Sequence, residues 1–172
     1  MTRTEELLWY TLPEFPDYEV NQLGEIYNNR TRSLMRTSRT NHGHVKITLL
    51  GRDGCRHTRS VALFVAEAFV DIPNGLCDTV LIKDGDLSNV AAYNLAWRPR
   101  GFHQKYMRQL RVPQPTHYHN LWVTNITDNI QYDSIVQAGM YEGLLFADIW
   151  RSTYSGSHVF PYGSVFEVSQ RV

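Results

Sequence analysis

Polar and apolar residues follow one another in two rhythms along this chain, and each predicts a different element. From Tyr18 to Ile26, Val20 and Leu23 stand around Gly24, which predicts a short strand, a turn and another strand, since glycine gives the backbone freedom a tight reversal needs. A polar stretch, Asn28 to Asn41, follows. Val45–Leu49 then alternates with the period of a half-buried strand, and Gly51-Arg52-Asp53-Gly54 is turn chemistry leading to another strand through His57. The front third therefore reads as antiparallel sheet. Between Ser60 and Phe69 the apolar residues recur at helical spacing, and Pro73-Asn74-Gly75 ends that run. Val80-Leu81-Ile82 predicts a buried strand ending in Asp84-Gly85-Asp86. Ser88 to Tyr93 leads on to Asn94-Leu95-Ala96-Trp97, and Phe102 to Leu110 predicts a helix. Pro113 and Pro115 mark a linker, because proline lacks a backbone donor and biases its predecessor towards extended conformations. The remainder reads as a strand over Leu121–Ile126, the turn Thr127-Asp128-Asn129, a second short strand, two helices and a closing strand at Val165–Val168. Ser134 and Gln137 form a capping-box pair for the first helix, Gly143 separates it from the second, and the second runs from Leu145 to Thr153, in helix-turn-helix order.

Composition narrows the class. The chain has 172 residues, room for one domain or two or three small modules, and its 42% apolar and 12% aromatic content is that of a folded protein. No apolar run is long enough to span a membrane, and Met1 to Tyr10 lacks a cationic region followed by an apolar stretch, so a cytoplasmic protein without a membrane partner is expected. Cys55 and Cys77 lack metal-ligand spacing and read as reduced thiols.

Net charge is zero, yet the charges are segregated. Up to Tyr27, Arg3 is outnumbered by Glu5, Glu6, Glu14, Asp17, Glu19 and Glu25. From Asn28 to Arg59 the balance reverses: Arg30, Arg32, Arg36, Arg39, Lys46, Arg52, Arg56 and Arg59 face only Asp53. A second basic stretch holds Arg98, Arg100, Lys105, Arg108 and Arg111. Beyond Pro113, Asp128, Asp133, Glu142, Asp148 and Glu167 outnumber Arg151 and Arg171.

Three groups of residues carry a family resemblance. The first is Trp9, Pro13, Phe15 and the run Tyr18-Glu19-Val20-Asn21-Gln22-Leu23-Gly24. The second is Val65-Ala66-Glu67-Ala68-Phe69, Asp84-Gly85, Asn89 and Asn94-Leu95-Ala96-Trp97. The third is Tyr132-Asp133-Ser134-Ile135-Val136-Gln137-Ala138, Ile149 and Tyr162-Gly163-Ser164-Val165-Phe166. In this order they resemble phage-type HNH homing endonucleases, which join a nuclease-associated amino-terminal motif, an HNH core and an intron-nuclease repeat. The resemblance implies an α+β fold with a small antiparallel sheet, a ββα-metal (His-Me finger) remnant and a C-terminal helix-turn-helix-like module with short strands. It also implies three parts, 1–58, 59–112 and 113–172.

In that family an acid or amide on the first strand of the core holds a divalent metal, the adjacent histidine takes a proton from water, and a helix asparagine completes the site. The family strand reads roughly Val-Asn-His-x-Asp-Gly-Asn; here it is Val80-Leu81-Ile82-Lys83-Asp84-Gly85-Asp86, so Leu81 takes the ligand position and Ile82 that of the base. The asparagine position falls on His103, and Ala62 stands where the family usually has a histidine. The expectation is therefore a protein that is not an enzyme, with no catalytic residue, metal or cofactor. A displaced site built from Asp84, Asp86 and His103 is the competing possibility. The plain structural roles are a hairpin turn for Asp84-Gly85, a turn or cap for Asn94 and a core position for Trp97. His42, His44, His57, His117, His119 and His158 make no metal-ligand pattern.

The binding expectation rests on the arginines. Arg30, Arg32, Arg36, Arg39, Lys46, Arg52, Arg56, Arg59, Arg98, Arg100, Lys105 and Arg108 are the nucleic-acid-binding candidates, with duplex DNA the expected partner and a regulatory or interfering role the expected function. A solvated charged face is the plainer alternative. The rival function is a protein-interaction module acting on a host or phage machine such as a polymerase, a ribosome or a defence complex. The last helix, with Asp148 beside Arg151, is poorly suited to reading DNA; Leu144, Leu145, Phe146, Trp150 and Tyr154 read as core or as an exposed patch for another protein.

Overall fold

A computed structural model describes residues 7–169. Arg3, Glu5 and Glu6 of the acidic start, the first residues of the Met1–Tyr10 reading, and Arg171 lie outside the described residues. The chain packs as two compact units, one of the residues up to Asp71 together with Asp86–Ala96, the other of Ile72–Gly85 and the chain from Trp97 onward. The expected limits at 58 and 112 do not coincide with these boundaries.

In the first unit β1 (Trp9–Leu12), β2 (Phe15–Asn21), β3 (Ile26–Asn28) and β4 (Ser33–Leu34) form an antiparallel four-stranded sheet in chain order. The reversal between β2 and β3 depends on two side chains. Asn21 is buried and its Oδ1 accepts from the Leu23 and Glu25 N–H groups at 3.0 Å each, so a side chain takes over backbone donors the turn leaves without partners. Gly24 has φ 87, and a Cβ there would lie 2.5 Å from Val90 Cγ2. Gly24→Ala thus adds backbone strain to a steric clash, and is expected to cost about 2–4 kcal/mol in chemical denaturation.

A three-stranded sheet follows: β5 (Ser38–Arg39), β6 (Val45–Leu50) and β7 (Arg56–Ser60), with β6 in the middle. Helix α1 (Val61–Phe69) buries Val61, Phe64 and Val65 in the core that also takes Phe15, Val20, Ile26, Ile47 and Leu49. Full burial of each such side chain contributes roughly 1.5–3 kcal/mol, which is what holds sheets this short together.

In the second unit β8 (Thr79–Ile82) pairs with β9 (Leu95–Arg98), the strand along which the chain passes from one unit to the other. Helices α2 (Arg100–Gln109) and α3 (Thr116–Asn120) come next. Then β10 (Val123–Asn125) is flanked by β11 (Ile130–Tyr132) and β12 (Phe166–Val168), with α4 (Ile135–Glu142) and α5 (Phe146–Ser155) between the last two strands in sequence. Ser134 Oγ accepts from the Gln137 N–H at 3.0 Å, as expected, but Gln137 Oε1 reaches past it to the Asp133 N–H at 2.6 Å. Gly143, at φ 67, ends α4, and a Cβ on Gly139 would lie 2.4 Å from Phe146 Cδ1, so α4 and α5 meet where a side chain is missing.

Tyr132 donates to Glu142 Oε1 at 2.6 Å, and Asn125 Nδ2 donates to the same atom at 3.1 Å. Burial, and then this bond to Glu142, hold the Tyr132 phenol far above its ordinary range. A group whose folded pKa is raised contributes stability that is complete below its unfolded value, near 10.0, and is lost as pH rises through the folded one. Alkaline denaturation should therefore weaken in Tyr132→Phe relative to the parent, measured as stability against pH above that value.

The main expected elements are present within a few residues. Beyond them, β4 and β5 lie in the stretch expected to be only polar, and β1 and α3 were not expected. Strand β1 buries only Leu12, so it carries no alternation, and α3 is a single short helix after Pro115 whose one buried side chain is Tyr118. Among the described residues no helix is long and apolar enough to cross a membrane.

Candidate nucleic-acid interface

Register decides which side chains share a face of the β5–β6–β7 sheet. Val45, Ile47 and Leu49 point into the core, so Lys46, Thr48 and Leu50 occupy the other face. Their cross-strand partners join them there: Ser38 and Ser60 beside Lys46, Thr58 beside Thr48, Arg56 beside Leu50. The Thr48 and Thr58 hydroxyls lie 2.8 Å apart. This outer face is thus a set of hydroxyls between two cations. Lys46 and Arg56 belong to the basic group expected from the sequence, whereas the serines and threonines beside them do not, although the alternation in Lys46-x-Thr48 and Arg56-x-Thr58-x-Ser60 is legible there.

Arg30 and Arg32 sit on the β3–β4 turn, where Asn28 Oδ1 accepts from the Arg30 and Thr31 N–H groups at 2.9 and 3.1 Å and Arg32 takes φ 52. Arg36 follows β4 and Arg39 lies on β5, and all four are exposed, as are Arg52, Arg56 and Arg59. Arg39 is also one of the charges that, after two hydrogen bonds from Ser88, hold the Asp86 carboxyl below its ordinary range.

The second unit carries its own basic surface on α2. Tyr106, fully buried, donates to Lys83 O at 2.6 Å and to Gly139 O at 3.3 Å, while Gln109 donates to Leu144 O and accepts from the Phe146 N–H, each at 3.0 Å. These contacts fix which side of α2 faces inward and leave Arg100, Lys105 and Arg108 exposed.

Arg98 is a correction. It was grouped with the binding arginines, but it is 0% exposed, and its guanidinium donates to Trp97 O at 2.8 Å, Glu142 O at 2.7 Å and Gly143 O at 3.0 Å. It serves the interior, where the rings of Phe102 and Tyr162 lie 5.8 and 5.5 Å from its charge.

Leu81 and Ile82 are buried on β8, and His103 is half-buried on α2. The Gly85 N–H donates to Ile82 O at 3.3 Å with φ 77, the reverse turn expected for Asp84-Gly85. Asn94 is buried with its amide donating to Asn89 O at 2.8 Å, and Trp97 is core. Two alkyl side chains and one imidazole do not fit the divalent metal that the resemblance implies. Among the described residues no group of three or more His, Cys, Asp or Glu stands together as a metal site.

In the last helices Leu144, Phe146 and Ile149 are core, Leu145 and Trp150 are half-buried, and Tyr154 is exposed. Arg151 is paired with Asp148 at 3.5 Å.

No protein-family model and no curated protein sequence matches the chain. Among solved structures it is similar to that of the HNH homing endonuclease I-HmuI, reported for DNA binding and cleavage, with a TM-score of 0.54 and 20% identity over 96% of this chain and 99% of that one. The described chain therefore has the fold of an HNH homing endonuclease: small antiparallel sheets with five helices among the described residues. This overturns the expectation that the protein is not an enzyme. Its fold is shared with an enzyme, the HNH homing endonuclease I-HmuI.

Proposed function

We propose that this chain binds duplex DNA, and that the bound protein regulates or obstructs transactions on it. The observation that carries this is the outer face of β5–β6–β7, where Lys46 and Arg56 flank the hydroxyls of Ser38, Thr48, Thr58 and Ser60. Ammonium, guanidinium and hydroxyl donors on one pleated face are what phosphate oxygens accept from, and such contacts position a protein on a duplex without reading its sequence. Arg30, Arg32 and Arg36 add exposed cations at and just after the β3–β4 turn of the first unit, Arg39 adds one on the edge strand β5 opposite Val45, and Arg100, Lys105 and Arg108 supply a second basic surface on α2. In this reading β8, β9 and α2 are the counterpart of the ββα element, and α4 and α5 that of the helix-turn-helix. The DNA cleavage reported for I-HmuI makes duplex DNA the first substrate to try.

Titration of the full chain against a labelled duplex across a salt series tests this. The logarithm of the affinity should fall linearly with that of salt concentration, with a slope of about −0.9 for each phosphate neutralised. Absence of any complex with duplex DNA at the lowest salt sinks the proposal.

A second reading is favoured by the exposed tyrosines of the second unit, Tyr141 at 63% and Tyr154 at 68%. They suit a protein partner, which capture after nuclease digestion would reveal as a stoichiometric companion.

A further inference from the structure

Strand β7 has one occupied edge and one open edge. It pairs with β6, and among the described residues no strand lies beyond it. The hairpin turn decides which backbone groups face which way. The Gly51 N–H donates to Cys55 O at 2.8 Å, so Gly51 and Cys55 form a hydrogen-bonded pair. Such pairs recur at every second residue of an antiparallel ladder, and the register makes Leu49 with His57 and Ile47 with Arg59 the next ones. The N–H and C=O groups of Arg56, Thr58 and Ser60 therefore point away from β6. Among the described residues these three N–H groups donate to nothing, and all three residues are exposed. Thr58 O receives a single long contact, from the Arg59 guanidinium at 3.4 Å.

An open edge of this kind is a template for another strand, and charged side chains are the usual guard against such pairing. Against a second β7 in one register, Arg56 and Arg59 do not guard. A two-fold axis at Thr58 sets two such strands antiparallel, with Thr58 opposite Thr58, Arg56 opposite Ser60 and Arg59 opposite His57. No arginine then faces an arginine. Arg59 meets instead the His57 whose Nε2 lies 2.8 Å from Asp53 Oδ2, so a carboxylate stands beside the arriving cation. An axis at Arg59 would set the two Arg59 side chains against each other. One at His57 would bring Ser60 opposite Gly54 of the turn and leave its N–H out of the ladder. On that side of β7 a hollow of about 230 Å³, with Asp53, His57 and Arg59 among its walls, gives the opposing side chains room.

We propose that two copies of this chain associate through β7, joining their β5–β6–β7 sheets into one continuous sheet with Thr58 on the two-fold axis. The two Thr58 residues exchange backbone hydrogen bonds, and Arg56 with Ser60 adds more on either side. Each copy offers the same five residues, Arg56–Ser60, so the interface closes on itself and builds a dimer rather than a fibre. A contact this small makes a weak, concentration-dependent dimer. Association needs no nucleic acid. Its outer face presents Lys46, Thr48, Arg56 and Thr58 twice, which under the duplex-binding reading doubles the donors offered to phosphate.

Sedimentation velocity of the full chain without DNA, from about 5 to 500 μM, tests this, and the average mass should rise from that of one chain towards that of two. Amide exchange at the two ends of that range locates the contact. The Arg56, Thr58 and Ser60 amides should exchange at least about twofold more slowly at the higher concentration, while those of His57 and Arg59, already bonded to β6, should not change. Thr58→Pro removes an N–H that β6 does not use, and an edge strand tolerates the ring, so this variant should keep its fold and associate at least about tenfold more weakly. Arg59→Glu, at an exposed position, sets two carboxylates together across the axis and should weaken association as a second variant. A chain that stays monomeric throughout, a dimer whose slowed amides lie outside β7, or a folded Thr58→Pro variant that associates like the parent overturns the proposal. No DNA is present in these measurements, so the failure of this interface and the failure of duplex binding are separate results.

Discussion

Arg98→Met is expected to lower the stability of the second unit by about 3–5 kcal/mol, a fall in melting temperature of roughly 10 °C for a chain of this size. The reason is what the substitution leaves behind. Three carbonyls, of Trp97, Glu142 and Gly143, accept from one guanidinium that is itself 0% exposed, and methionine supplies no donor for any of them. Two of these carbonyls close α4, where helix carbonyls lack internal partners and carry the negative end of the helix dipole. Arg98→Lys keeps the charge but loses the planar fork that reaches three acceptors, and should recover less than half of the loss. Below its melting transition Arg98→Met should bind duplex DNA within about threefold of the parent, because the side chain has no access to phosphate. A melting temperature within two degrees or so of the parent would refute the assignment.

Replacing Arg30, Arg32, Arg36 and Arg39 together by serine should have the largest effect on binding. All four are exposed, on the β3–β4 turn, after β4 and on β5, so the fold should tolerate their loss. If each neutralises one phosphate, the slope of log affinity against log salt should flatten by about 3.6, and affinity at low salt should drop by about a hundredfold or more. An unchanged slope would mean that these arginines are a solvated face and that the outer face of β5–β6–β7 binds without them. Arg39 would then be left to its role beside Asp86.

Particular residues explain how much of this could be read from sequence. Strand β6 was legible because Val45, Ile47 and Leu49 alternate with polar positions, and α4 because Ser134 and Gln137 announce its start. Strand β1 was not, since most of its side chains face solvent and its pairing with β2 is a tertiary choice that leaves no period. The basic residues were recognisable as a group, but sequence could not tell Arg98 from Arg100. Both follow Trp97 in a polar run, and only the approach of the α4 terminus, more than forty residues on, makes one interior. Leu81 and Ile82 bring alkyl side chains to buried positions of β8. The step from there to a protein that is not an enzyme went beyond what alkyl side chains at two positions can establish.

The first unit is interrupted: the chain leaves it after Asp71 and returns at Asp86 to supply Val90, Ala91 and Leu95 to its interior. Val90 is the side chain that fits against bare Gly24, so the turn between β2 and β3 is completed by residues made far later. During vectorial synthesis this unit has to wait for Ala96 to clear the ribosome before its core can close, whereas an uninterrupted unit of the same size could fold as soon as it emerged. Its arginines, already outside, spend that interval on an unfinished scaffold.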